Sequence, residues 1–372
     1  MDKRLLQIAD FKVKPGKRNY HYAALATIDE NGKPYVRLRS PTVQRTVTDL
    51  RKELDVMLES SRSRLSPEEI KEIISLDKEN HAIIDQREEL ILFMEELGNP
   101  DHIKRTLSNL NLTKQGVLVC LEAEIVMYQG RFSNPRLKNG NDAIIKCKLE
   151  EIYEKDHPYF IYRKNRYMIQ LASFHLASFK PEEREKRFDE SVPTMFTLRA
   201  VDIEDFNHRF EHPIDIPLDK RLDNPEQASN FINNNSCGVI ASVDHEKNEI
   251  TAIPVESFSI PDLGEGVFIQ IDVTQELGKK MFERIKTNLM NHNDPYLSYT
   301  IPTMGMGAEL GLAYEGKVKI NEELIEKAIK FHSPIKGTKI VYLDPQRITD
   351  ISTPQTRRGR IIYSHFKEIG WN

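Results

Sequence analysis

YHYAALATIDENGKPYVRL, residues Tyr20–Leu38, sets two runs of β-prone residues on either side of Asp29-Glu30-Asn31-Gly32-Lys33-Pro34. An Asn-Gly pair accepts the positive φ that a tight reversal needs, so the stretch reads as an antiparallel hairpin. The same grammar returns at Gly238–Val243 and Glu249–Ile253, which flank His245-Glu246-Lys247-Asn248. Further strands are expected at Gln7–Val13, Val117–Tyr128, Ala143–Leu149, Met195–Ile203, Gly266–Val273, Lys339–Leu343 and Gly359–Phe366.

Helical periodicity occupies other parts of the chain. Leu50, Leu54, Met57 and Leu58 form one apolar stripe, and Ser66-Pro67-Glu68-Glu69 is a helix start with a capping serine and proline at the first turn. A third helix is expected over about His81–Leu97, ending at Gly98-Asn99-Pro100, and a short one over Asp101–Leu110. Later helices are expected after Asn224, after a cap at Thr274 (stripe Leu277, Met281, Phe282, Ile285, Leu289) and after a cap at Asn321. Hairpins and helices intermix without strict alternation. The fold class is therefore α+β: antiparallel, hairpin-rich sheets with a helical insertion near the N-terminus and helices packed on the sheets. No internal repeat stands out. The expected division is residues 1–115, a small sheet plus the helical block 48–110, and residues 116–372, an α+β main body.

Composition narrows the class. Of 372 residues, 39% are hydrophobic and 30% charged, the balance of a globular protein with an ample polar surface. The longest apolar runs, such as Leu90–Met94, are too short to cross a bilayer, and MDKRLLQIADFKV lacks the apolar core of a secretory signal. A cytoplasmic, membrane-free protein is expected. Cys120, Cys147 and Cys237 are widely spaced and odd in number, which supports neither a disulfide framework nor a zinc ribbon. Cys120 and Cys147 fall in apolar runs, where a thiol acts as a small core residue.

Charge is distributed unevenly. Residues 1–50 hold ten Lys/Arg against five Asp/Glu, residues 201–262 four against thirteen, and residues 335–368 seven against three. Basic loops interleaved with aromatics are one signature of phosphate-backbone binding. The aromatic run Tyr159–Phe179 reads as a hairpin whose tip presents Arg163, Lys164 and Arg166 beside Tyr162 and Tyr167. The turn-rich segment Gln129–Asp142 adds Arg131, Arg136 and Lys138, and the C-terminal run adds Arg357, Arg358 and Arg360. Cations of this kind neutralise phosphates, and tyrosines such as Tyr167 stack on unpaired bases. The resulting expectation is a non-catalytic DNA- or RNA-binding protein without a cofactor, self-associating as a homo-oligomer. The alternative is a structural assembly protein, for example of a virus or phage particle, whose acidic and basic faces join neighbouring copies.

A second alternative is metal-dependent hydrolysis. His208-Arg209-Phe210-Glu211-His212 has the HxxEH spacing that places two histidines on one helical face in inverted zinc peptidases. Pro213 directly after His212 disfavours helical backbone there, and the preceding residues resemble the end of a strand, so surface histidines in an acidic turn are preferred to a metal site. Gly305-Met306-Gly307-Ala308-Glu309-Leu310-Gly311 lacks the phosphate-loop lysine and reads as a turn. The acidic set Asp262, Glu265 and Asp272 lacks the lysine of a nuclease core.

Overall fold

The structure, a computed structural model, describes residues 18–39, 41–43, 67–68, 71, 90–94, 100–128, 131–137, 140–157, 195–209, 212–213, 224–234, 237–291, 296–305, 308–350 and 360–364. In chain order these form β1 (Arg18–Ile28), β2 (Pro34–Arg39), β3 (Pro41–Val43), β4 (Leu90–Met94), α1 (Pro100–Thr113), β5 (Gln115–Tyr128), β6 (Arg131–Leu137) and β7 (Gly140–Tyr153). There follow β8 (Met195–His208), β9 (His212–Pro213), α2 (Pro225–Asn234), β10 (Cys237–Asp244), β11 (Glu249–Phe258) and β12 (Val267–Asp272). The chain closes with α3 (Glu276–Asn291), β13 (Tyr296–Gly305), β14 (Ala308–Lys319), α4 (Glu322–Phe331), β15 (Thr338–Asp350) and β16 (Arg360–Ser364). This is an α+β protein of two antiparallel sheets with helices packed on them, the class that the hairpin grammar implied.

Two compact units share the chain, and neither is one continuous stretch. The larger takes residues 10–40, 104–148 and 201–372, and the smaller takes 1–9, 41–103 and 149–200. In the smaller unit β4 pairs antiparallel with β3 and with the first residues of β8 (Leu90↔Arg199, Met94↔Met195). The periodicity of His81–Leu97 implies a helix, yet Leu90–Met94 is a strand. Leu-Ile-Leu-Phe-Met is a five-residue apolar run that fits either state, and its two strand neighbours decide it. The other expected helices between Thr48 and Leu97 lie largely outside the described residues, as do Gln7–Val13 and the aromatic segment Tyr159–Phe179. Within Gln129–Asp142, expected as a loop, residues 131–137 are strand β6, paired with β5.

The larger unit holds the barrel. Its sheet runs β12-β11-β10-β13-β14-β15, and β12 pairs with both β11 and β15, so six strands close on themselves. Alternation along β12 shows how its two faces are used. Val267, Ile269 and Ile271 enter the main apolar core with Val239, Ala241, Ile253 and Leu343. Phe268 faces a smaller cluster with Phe258, Ile340, Tyr342 and Ala328 of α4. The remaining even positions, Gln270 and Asp272, are polar and buried.

Several local signals hold. Gly32 takes φ of 72° in the first hairpin turn, the left-handed conformation that favours glycine. Asn321 caps α4 by accepting from the Leu324 amide at 3.1 Å. Gly305 pairs with Ala308, so the glycine-rich run closes a hairpin. Thr274 differs from expectation. Its hydroxyl and amide donate to Asp272 Oδ1 at 2.6 and 3.0 Å, and α3 begins two residues later.

Candidate functional site

Polar residues concentrate where the barrel wall meets the end of β8. A shallow cleft there, with about 20 Å³ of enclosed space, is lined by Phe206–Arg209 and by Val255, Glu256, Gln270, Asp272 and Thr338 of β11, β12 and β15. The alternation of β12 explains its chemistry: odd residues are spent on the core, so Gln270 and Asp272 fall on the opposite face.

Arg209 and Asp272 form the charged rim. Arg209 Nε donates to Asp272 Oδ2 at 2.8 Å and Nη2 lies 2.7 Å from Oδ1, a two-point fork that fixes the guanidinium plane. The arginine side chain remains 39% exposed, so this cation is held in place yet accessible. Burial pushes the Asp272 carboxyl up, but hydrogen bonds from Thr274, Gln275 and Arg209 outweigh it and hold the carboxyl below its usual range. A carboxyl depressed on folding contributes stability above its unfolded value, and this contribution is lost as pH falls through the folded one. Asp272→Asn is therefore expected to flatten the loss of stability below about pH 4, the unfolded value, as urea unfolding across pH would show. An unchanged acid limb would dissociate Asp272 from acid stability.

Deeper in the cleft the amides are tied down. Gln270 Nε2 donates to Glu256 Oε2 at 3.0 Å, while its Oε1 accepts from the Ile335 amide at 2.9 Å and the Thr338 hydroxyl at 3.2 Å. Gln275 bridges to β8, accepting from the Asn207 amide and donating to the Asn207 carbonyl, both at 2.7 Å. The wall is thus preorganised, and only its rim offers an accessible charge.

His208 forms the floor. Its Nδ1 lies 2.7 Å from Asp142 Oδ2, and both side chains are fully buried. Asp142 Oδ1 also accepts from the Glu122 amide at 2.9 Å. A Cβ at Gly140 would stand 2.6 Å from His208 Cε1, so the imidazole takes the place of a side chain there. This overturns the HxxEH expectation in both forms. His208 ends a strand rather than riding a helix, and it is locked into the interior by Asp142 rather than exposed in a turn. His212 lies in β9, paired with Leu137, and Glu211 lies outside the described residues. Among the described residues no group of three or more His, Cys, Asp or Glu is placed to hold a metal.

Of the cations expected to contact phosphates, Arg131, Arg136 and Arg360 fall on described strands. Arg131 and Arg136 occupy ladder positions of β6, opposite Tyr128 and Glu124, and Arg360 pairs with Asp350 at the start of β16. Lys138, Arg163, Lys164, Arg166, Tyr167, Arg357 and Arg358 lie outside the described residues. Sequence reading passed over Arg209, Gln270 and Asp272 as cleft residues. The one available signal was the interruption of an apolar strand by Gln and Asp at alternate positions. Cys120, Cys147 and Cys237 are buried free thiols, and burial holds all three up, Cys147 to about 12. They are core residues. No described helix is long and apolar enough to cross a membrane.

No protein-family model and no curated protein matches this chain. Solved structures do show similarity over about a third of it. An FAD-binding protein from Mycobacterium smegmatis is 14% identical, matching 34% of this chain and 92% of its own at a TM-score of 0.27. A putative pyridoxamine 5′-phosphate oxidase from Corynebacterium glutamicum is 16% identical (34% and 88%, TM-score 0.26). A heme-binding protein from Mycobacterium smegmatis is 15% identical (38% and 61%, TM-score 0.24). None of these is named for nucleic acid, a phage or a particle. The expectation of a DNA- or RNA-binding protein, with its assembly and hydrolase alternatives, is corrected accordingly.

Proposed function

We propose that the barrel binds a small organic cofactor through an anionic group, seated at Arg209 on the rim of the polar cleft, and that the protein works in the cytoplasm. The carrying observation is the accessible guanidinium held in a fixed plane by Asp272 beside a preorganised polar wall. Asp272 takes the Nε–Nη2 edge, and the remaining Nη1 edge of the planar guanidinium suits phosphate or carboxylate, which accept its hydrogen bonds. The enclosed space is about 20 Å³, room for about one water, so the anionic group meets Arg209 at the cleft mouth and the body of the ligand lies over the barrel surface. FAD, pyridoxamine 5′-phosphate and heme are the first ligands to try, because each pairs an anionic group with a flat aromatic body. Three buried, unpaired thiols favour a reducing compartment.

Titration of the purified chain with each compound, followed by absorbance and by quenching of Trp371, tests the reading. Saturable binding of one of them is expected. Arg209→Ala should weaken it roughly tenfold to a hundredfold, the cost of a charge-assisted hydrogen bond. Binding of none, or binding indifferent to Arg209, would overturn the assignment.

A further inference from the structure

Two hairpins far apart in the chain carry chemically matched residues in similar roles. Ala26-Thr27-Ile28-Asp29 leads into the first turn, and Ala241-Ser242-Val243-Asp244 leads into the barrel hairpin's turn. Asp29 Oδ1 accepts from the Asn31 and Lys33 amides, both at 2.9 Å. Asp244 Oδ1 accepts from Glu246 and Lys247 at 3.2 and 3.1 Å.

Each hairpin is gripped by a helix with one spacing. Arg105-x-x-x-Asn109-Leu110 lies in α1, and Arg284-x-x-x-Asn288-Leu289 lies in α3. Residues four apart share a helical face, so both side chains reach one hairpin. Asn109 Nδ2 donates to Thr27 Oγ1 at 3.0 Å, and Asn288 Nδ2 donates to Ser242 Oγ at 3.4 Å and the Val243 carbonyl at 2.8 Å. Arg105 pairs with Asp29 at 3.2 Å, and Arg284 pairs with Asp244 at 3.5 Å. Arg105 also lies over the Tyr35 ring at 4.2 Å, and Arg284 hydrogen-bonds Thr251. Tyr35 is the strand partner of Thr27, as Thr251 is of Ser242.

Topology repeats with the contacts. The strand order β2-β1-β5-β7-β8 matches β11-β10-β13-β14-β15, and in each series the helix directly precedes the third strand. Within the smaller unit β4 pairs with β8, as β12 pairs with β15 in the larger. Short identical strings arise by chance. Matched contacts among five positions, at matched register and in matched strand order, require a common plan.

We infer that the chain is a tandem duplication of one barrel-building unit, and that Arg105–Asn109 and Arg284–Asn288 are the same positioning clamp occurring twice. The arginine holds the turn aspartate, and the asparagine holds the hydroxyl two residues before it. The first clamp has one added contact: Arg105 Nη1 lies 3.2 Å from Glu315 Oε1 on β14, a strand of the second copy. Arg105 therefore joins the first hairpin to the second copy, across a shared core in which Ala24, Ala26, Val36 and Val119 pack with Val239, Ala241 and Tyr314.

Amide exchange of the full chain, with Arg105→Gln and Arg284→Gln, tests this. Loss of a charged hydrogen bond corresponds to about a tenfold faster opening. Arg105→Gln should accelerate Asn31 and Lys33 while leaving Glu246 and Lys247 unchanged, and Arg284→Gln should do the reverse. Glu315→Gln should show non-additivity with Arg105→Gln and additivity with Arg284→Gln. Arg105→Lys and Arg284→Lys should restore part of the protection, since each keeps the charge. Uniform acceleration of both turns, no acceleration of either, or coupling of Glu315 to Arg284 would overturn the inference. Where an arginine variant does not fold, Asn109→Ala and Asn288→Ala are read at the same amides with the same opposed outcomes.

Discussion

Gly278→Ala is expected to cost about 3 kcal/mol, the upper end of the usual cost of core overpacking, and to lift α3 from β12. Gly278 is buried in the first turn of α3, and a Cβ there would stand 1.8 Å from the Asp272 carbonyl oxygen and 2.8 Å from its carbon. Both are backbone atoms at the end of β12, so no side-chain rotation relieves the contact. The helix would have to lift from the sheet, and Leu277, Met281 and Ile285 would withdraw from the main core. Alanine is the better helix former by about 1 kcal/mol at an exposed site, so propensity alone predicts the opposite sign. Urea unfolding decides between the two. A variant as stable as the parent would mean that α3 packs farther from β12 than described.

Asp142→Ala is expected to cost about 3–5 kcal/mol, the penalty for breaking one side of a fully buried polar pair. It removes the acceptor that His208 Nδ1 and the Glu122 amide share through its two oxygens. Asp142→Asn separates charge from shape. Burial, the dominant influence, pushes the Asp142 carboxyl up, and His208 and the Glu122 amide only partly pull it back. A carboxyl raised on folding favours the folded state fully below its unfolded value, near pH 4, and this contribution is lost as pH rises through the folded value. The parent should therefore lose stability relative to Asp142→Asn as pH is raised above about 4. Parallel stability curves for the two proteins would show that Asp142 does not titrate differently on folding.

Asp142 and Asp272 also show why these two carboxylates, alike in sequence, behave in opposite ways. Asp272 accepts three hydrogen bonds from Thr274 and Gln275 and the fork of a partly solvated arginine, and its carboxyl is held down. Asp142 is fully buried with His208 and one amide as partners, and burial wins. Both acid-limb effects therefore have opposite signs within one unit.

Local sequence by itself determined the hairpins at Asp29–Lys33 and Asp244–Glu249, the cap at Asn321, the amphipathic helix at Leu277–Leu289 and hence the α+β class. Each depends on interactions within a few residues. What the chain places next to what was decided by tertiary structure. Leu90–Met94 became a strand because Met195–Arg199 and Pro41–Val43 pair with it, and an apolar pentamer has no period to resist. Arg131 and Arg136 became ladder residues because β5 supplied a partner. His208 left the HxxEH string for the interior because Asp142, sixty-six positions away, satisfies it. Arg209, Gln270 and Asp272 converge only when β12 lies between β11 and β15. The duplication was hidden for the same reason. Its evidence consists of contacts between positions separated by 76 residues in one copy, Asp29 to Arg105, and by 40 in the other, Asp244 to Arg284. Periodicity along the chain registers neighbours in sequence, whereas the clamp is defined by neighbours in space.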